Sequence, residues 1–135
     1  MLRRQLEYVP TTESAPYDRS PAWRACYQLA VALYQATRSW PGEEKYGLTS
    51  QVRRAAYSAA ANIAEGMARR GPGELRRFVD YSLGSIAELD VALRLARDTG
   101  IMKMHDWEEI EVLRQTAGRI TGGLSRSLRR RKPTP

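Results

Sequence analysis

Four stretches of this chain repeat apolar residues every three or four positions, and proline or glycine stands between successive stretches. That period puts the apolar side chains on one face of an α-helix. The first stretch, about 21–38, offers Trp23, Cys26 or Tyr27, Ala30, Leu33 or Tyr34, and Thr37. The second, about 48–68, offers Leu48, Val52, Ala55, Ala56, Ala59 and Ile63. The third, about 73–98, carries Leu75, Phe78, Val79, Ser82, Ile86, Leu89, Leu93 and Ala96. The fourth, about 106–130, is the most regular, with Trp107, Ile110, Leu113, Ala117, Ile120, Leu124 and Leu128 along one side. No stretch alternates as a strand does. Four helices joined by short turns predict an all-α, antiparallel up-down-up-down four-helix bundle over residues 20–130. Residues 1–19, rich in proline and small polar side chains, read as a flexible arm with a short ordered piece around Leu6 and Tyr8, and 131–135 as a disordered tail.

The punctuation has a mechanism. Ser20-Pro21 gives an N-cap hydroxyl followed by a residue whose missing N–H costs nothing at the first helical position. Trp40-Pro41-Gly42 ends the first helix, because proline disfavours helix at the residue before it. Thr49 or Ser50 is expected to cap the second helix, and Gly66 to close it in the left-handed conformation. Asp98-Thr99-Gly100 ends the third. Gly118, Gly122 and Gly123 cost helix propensity, ~1 kcal/mol each against alanine, and suggest close backbone approach or a bend. The second helix is slim: Ser58, Ala59, Ala60, Ala61 and Ala64 crowd its middle, which suits a central member of a bundle or a subunit contact.

Length and charge narrow the function. At 135 residues the chain is one domain with a sizeable core. Its single cysteine, Cys26, cannot form an internal disulfide or a multi-cysteine metal site. It has no apolar run long enough to span a bilayer and no signal-peptide core, so the expected setting is the cytoplasm. The formal charge is +7. Arg114, Arg119, Arg126, Arg129, Arg130, Arg131 and Lys132 follow one another without an acidic residue, so this segment alone matches the excess. Two readings of it stand side by side. One is a solvated helix end complementing the macrodipole. The other is a contact with RNA or DNA backbone, assisted by Arg69 and Arg70 in the turn after the second helix. No aromatic lies near the basic tail in sequence, so such binding is expected to be weakly sequence-specific and strongly salt-sensitive. A membrane surface fits less well, because the core needs the apolar face of the fourth helix.

Catalytic constellations are missing from the sequence. His105 is the only histidine, which leaves triad chemistry and histidine metal sites without partners. Gly71-Pro72-Gly73 lacks the pattern of a phosphate-binding loop, and no Glu-x-x-His pair supports a di-iron site. Neither an enzyme, nor a cofactor, nor a metal is expected. Polar residues do interrupt the apolar stripes: Arg53, Arg54, Asn62, Glu65, Ser82, Ser85 and Glu88. Their plain reading is register-setting hydrogen bonds and ion pairs between helices or subunits. Their sharper reading is a polar site in which Asn62 and Glu65 share a face opposite Glu88.

Several segments together carry a family resemblance. They are Trp40-Pro41, the run Glu43 to Ala56, Ser58, Asn62-Ile63-Ala64-Glu65-Gly66, and Phe78 with Leu83-Gly84-Ser85 and Glu88-Leu89. The region from about Trp23 to Leu128 resembles the four-helix-bundle proteins encoded in 23S rRNA intervening sequences, which are related in fold to the accessory variability protein of diversity-generating retroelements. The resemblance implies a homopentameric barrel of bundles without catalytic activity. For the retroelement branch it also implies partnership with a reverse transcriptase and nucleic acid bound through a basic surface. Tyr57, the run Ala59-Ala60-Ala61 and the arginine-rich end depart from the usual pattern. The basic end favours the retroelement branch, whereas Asn62 to Gly66 favours the intervening-sequence branch, so the branch stays open. The expectation is a non-enzymatic oligomeric adaptor for nucleic acid; the alternative is a structural or protein-interaction bundle with no nucleic-acid role.

Overall fold

Ser20 and Pro21 start the first helix as their chemistry demands: the Ser20 hydroxyl accepts the Trp23 N–H at 3.1 Å. In the computed structural model, which describes residues 15–131, helix α1 spans Pro21–Ala36, α2 Leu48–Ala68, α3 Pro72–Asp98 and α4 Met104–Arg130. Single-turn 3₁₀ segments at Pro16–Arg19, Thr37–Ser39 and Gly42–Glu44 complete the helical structure, and no strand occurs among the described residues. The expected four helices are present with nearly the expected bounds. The arm differs at its end: Pro16–Arg19 is an ordered turn with Asp18 buried and Tyr17 packed on the core. Leu6, Tyr8 and Lys132 lie outside the described residues.

Two boundaries have other causes than the sequence suggested. Neither Thr49 nor Ser50 caps α2. Gly47 holds the cap position, and the Glu44 carboxylate reaches forward to accept the Leu48 N–H at 3.1 Å. Gly66 does not close α2 either, since the helix continues to Ala68. A Cβ at Gly66 would stand 2.8 Å from Phe78 Cβ and 3.1 Å from Leu75 Cδ1, so this glycine lets α3 lie against α2. The close approach expected at Gly118, Gly122 and Gly123 is absent: added Cβ atoms there would meet only Ile86 at 3.7 Å or the Arg126 guanidinium.

Cross-helix bonds fix the topology. Ser85 meets Ser58, Ser82 meets the Ala59 carbonyl, and Phe78 packs on Gly66, so α3 runs antiparallel to α2. Ser125 meets Asp80 and Arg114 faces Asp90, so α4 runs antiparallel to α3. Arg53 at the start of α2 binds Thr37 and Tyr34 at the end of α1. Each helix packs on two neighbours in the order α1, α2, α3, α4 and back to α1, which is the antiparallel four-helix bundle. Leu29, Leu33, Val52, Ile63, Val79, Leu89, Leu93 and Ile110 fill its centre with no exposure. The ambiguous positions of α1 resolve cleanly: Cys26 and Leu33 point inward, Tyr27 and Tyr34 outward.

One cross-section of the core is polar and small. Cys26 Sγ lies 3.6 Å from Thr121 Oγ1 and 3.9 Å from Ser82 Oγ, and Ser82 donates to the Ala59 carbonyl at 2.6 Å. Burial pushes the Cys26 thiol up, only partly countered by the two hydroxyls, so it is an unreactive packing residue. The layer takes one residue from each helix and divides the bundle into two halves.

Candidate nucleic-acid interface

The two halves differ in charge. One half contains the start of α1, the α2–α3 turn and the end of α4, that is residues 15–26, 59–82 and 121–131. It carries Arg19, Arg24, Arg69, Arg70, Arg76, Arg77, Arg126, Arg129, Arg130 and Arg131 against Asp18, Glu65, Glu74 and Asp80. In the other half, residues 27–58 and 83–120, nine basic side chains face nine acidic ones. The whole excess of the described chain therefore sits at one end of the bundle. Antiparallel packing produces this, because it brings one terminus of each of the four helices to that end.

Arg69 and Arg70 thus lie at the same end of the bundle as Arg126, Arg129, Arg130 and Arg131. Arg19, Arg24, Arg76 and Arg77 extend the patch. Sequence spacing gave no sign of them, since only the fold brings these segments to the same end. Arg129 lies 3.6 Å and Arg76 3.9 Å from the Asp80 carboxylate, which also accepts the Ser125 hydroxyl at 2.7 Å. Arg69 pairs with Glu65 and Arg77 with Glu74, each at 3.0 Å. These pairs are half exposed and contribute little to stability. Among the described residues, Arg19, Arg70, Arg126, Arg130 and Arg131 have no carboxylate partner. A phosphate could replace water around them without breaking any ion pair.

Arg114 departs from expectation. It lies in the balanced half, its side chain is 14% exposed, and it is held by the Glu111 carboxylate with Asp90 at 3.7 Å. Its hydrogen bond to Glu111 raises the guanidinium further above its ordinary value and holds the Glu111 carboxyl below the usual carboxylate range. Arg114 is a structural cation between α3 and α4. Arg119 is exposed, but it too belongs to the balanced half.

Aromatic side chains, which the sequence places far from the tail, come to the arginine end through the fold. Phe78 and Tyr81 on α3 meet edge to face at 5.6 Å, with Arg77 over both rings and Arg69 over Phe78.

The register residues divide between several places. Arg53 donates to Thr37 Oγ1 at 2.8 Å and to the Tyr34 carbonyl at 3.2 Å, and lies 4.9 Å from the Tyr34 ring, so it ties α2 to α1. Asn62, Ser58 and Ser85 form one chain of hydrogen bonds between α2 and α3. Arg54 and Glu88 are exposed. Because Ser85 pairs with Ser58, Glu88 lies about two turns away from Asn62, and the polar site imagined between Asn62, Glu65 and Glu88 does not form. No group of three or more histidine, cysteine, aspartate or glutamate side chains among the described residues is placed to hold a metal. No described helix is long and apolar enough to cross a membrane.

A second surface escaped the sequence. An open groove of about 650 Å³ runs along the α1–α2 seam. Ala30, Ala60, Ala61 and Ala64 floor it, and Tyr17, Tyr27, Tyr34 and Tyr57 wall it. Trp23 stacks on Tyr27 at 4.8 Å and tilts against Tyr17 at 4.5 Å. The buried Gln35 Oε1 in its wall has no donor. Tyr27 and Tyr34, two turns apart on α1, were the available signal.

Comparison with known proteins places this architecture. Among curated proteins, none matches the chain. Among solved structures, a crystal structure of a protein of unknown function from the S23 ribosomal protein family of Bacteroides thetaiotaomicron VPI-5482 superposes with a TM-score of 0.69. It is 16% identical, and the match covers 77% of this chain and 97% of that one, which makes it a likeness of fold. The family model of the 23S rRNA-intervening sequence proteins matches residues 19–123, and the chain belongs to that family.

Proposed function

We propose that this protein is a non-enzymatic, oligomeric adaptor of the cytoplasm that binds nucleic-acid backbone through the arginine end of its bundle. The observation that carries the reading is the segregation of charge: among the described residues, one half is balanced and the other holds the surplus. Exposed guanidinium groups without carboxylate partners are what phosphate neutralisation requires, and the binding they give follows backbone rather than sequence. The triple variant Arg129→Glu, Arg130→Glu, Arg131→Glu is the test. It is expected to abolish binding to structured RNA at about 50 mM salt, with the helical content unchanged. Unchanged affinity would overturn the reading. The reverse-transcriptase partnership implied by the retroelement resemblance belongs to the same proposal. Co-purification of such an enzyme with the wild type but not the triple variant supports it.

The tyrosine groove favours a second reading, a bundle whose task is self-assembly or protein partnering. An alanine floor allows close approach of a helix, tyrosine walls supply contact area, and Gln35 Oε1 awaits a donor. A concave face is filled by a convex one, so repeated contact runs head to tail and gives a ring where the rotation closes, as the homopentamer implied by the family resemblance requires. Light scattering tests it: an assembly near five times the 15.3 kDa chain is expected, and a monomer at micromolar concentration overturns it.

A further inference from the structure

The arginine half also carries a flat surface that charge alone leaves unused. Tyr81 is 50% exposed, and its ring stands edge-on to Phe78, which is 7% exposed and so anchors it. The Arg77 guanidinium lies 5.8 Å from the Tyr81 centroid and 5.0 Å from that of Phe78.

A half-exposed ring anchored on Phe78, with a guanidinium at its side, forms a platform for a planar group. Inside a field of surplus arginine, that planar group must arrive on a polyanion. A nucleobase on a phosphate backbone meets both conditions. A continuous duplex does not, because its bases are stacked on one another. We propose that an unpaired base of the bound nucleic acid stacks on Tyr81, with the Arg77 guanidinium beside it. This rests on the phosphate-binding reading and narrows the ligand to a single strand or to a bulged or looped segment.

The test compares fluorescence anisotropy of three probes, a short single-stranded RNA, the same sequence as DNA, and a blunt duplex, at about 50 mM salt. Tyr81→Ala is expected to weaken single-strand binding about tenfold or more while leaving duplex binding within about twofold, and Tyr81→Phe to retain wild-type binding. RNA and DNA strands equally affected identify the base as the shared determinant. An effect on RNA alone adds a sugar contact to the same stacking site. Equal loss on strand and duplex, or no loss on either, overturns the proposal. The arginine reading still stands in that case if the triple glutamate variant abolishes all three. Should Tyr81→Ala fail to fold, photocrosslinking of a 5-iodouridine strand to the wild-type protein decides: a crosslink on Tyr81 supports the proposal, and crosslinks only elsewhere refute it.

Discussion

Gly66 and Gly84 are both helical glycines, and their surroundings give substitution opposite signs. At Gly66 a methyl group collides with Phe78 Cβ at 2.8 Å, an atom fixed by its own backbone. Gly66→Ala is expected to cost about 1–3 kcal/mol despite the better helix propensity of alanine. Gly84 has nothing within 4 Å of an added Cβ, so Gly84→Ala is expected to stabilise by roughly 0.5–1 kcal/mol. Denaturant melts of the two variants check both signs. The Arg114–Glu111 pair gives a pH signature of its own. The Glu111 carboxyl titrates below the ordinary carboxylate range, chiefly because Arg114 donates to it. A depressed carboxyl contributes stability that is present above its ordinary value and is lost as pH falls through the lowered one. Arg114→Met is therefore expected to lose about 1–3 kcal/mol at neutral pH, because it leaves Glu111 with Gln115 alone and Asp90 with Arg94 alone. Thermal melts from neutral to acid pH should show the variant's acid limb flatter than that of the wild type, the two curves converging at the acid end.

At the scale of the element, α2 shows what sequence can and cannot specify. Its slimness was plain from Ala55 to Ala64, and so was its apolar stripe, because period and side-chain size are local properties. What the slimness serves was not legible, because it differs between the two sides of the helix. Ala59 is fully buried, with its carbonyl under Ser82, whereas Ala61 floors the open groove. Ala59→Leu is expected to destabilise the bundle by about 1–3 kcal/mol through overpacking. Ala61→Leu should leave monomer stability nearly unchanged and alter self-association, as read by light scattering at several concentrations. Helix α4 makes the same point through its polar residues. Thr121 and Ser125 look like surface positions beside the Ile120 and Leu124 stripe, yet both are buried, one in the Cys26 layer and one on Asp80. The hydroxyls face other helices, and no window along α4 contains those partners. Gly66 differs for a related reason: a glycine near a helix end suggests a left-handed turn, while its actual constraint is Phe78, twelve residues on in another helix.

For the whole molecule the decisive property is where charge lies after folding. Along the chain, the basic run from Arg114 to Lys132 equals the surplus. In the fold, Arg114 is neutralised by its neighbours, Arg119 belongs to a balanced half, and the α2–α3 turn supplies the missing arginines. Five of the arginines at the basic end, Arg19, Arg70, Arg126, Arg130 and Arg131, carry no carboxylate partner among the described residues, which sets a scale for the salt dependence. If each displaces one counterion set, the logarithm of affinity should fall with the logarithm of salt at a slope of about −3.5 for a single strand and about −4.5 for a duplex. Between about 50 and 200 mM salt that is a loss of roughly a hundredfold to several hundredfold. Arg70→Ala and Arg130→Ala should each reduce the slope by nearly one unit, whereas Arg119→Ala should leave it unchanged. Anisotropy titrations over that salt range measure the slopes directly. A slope carried equally by Arg119 and Arg130 would mean that phosphate contacts follow the length of α4 rather than the end of the bundle, and the charge-segregation argument would fail with it.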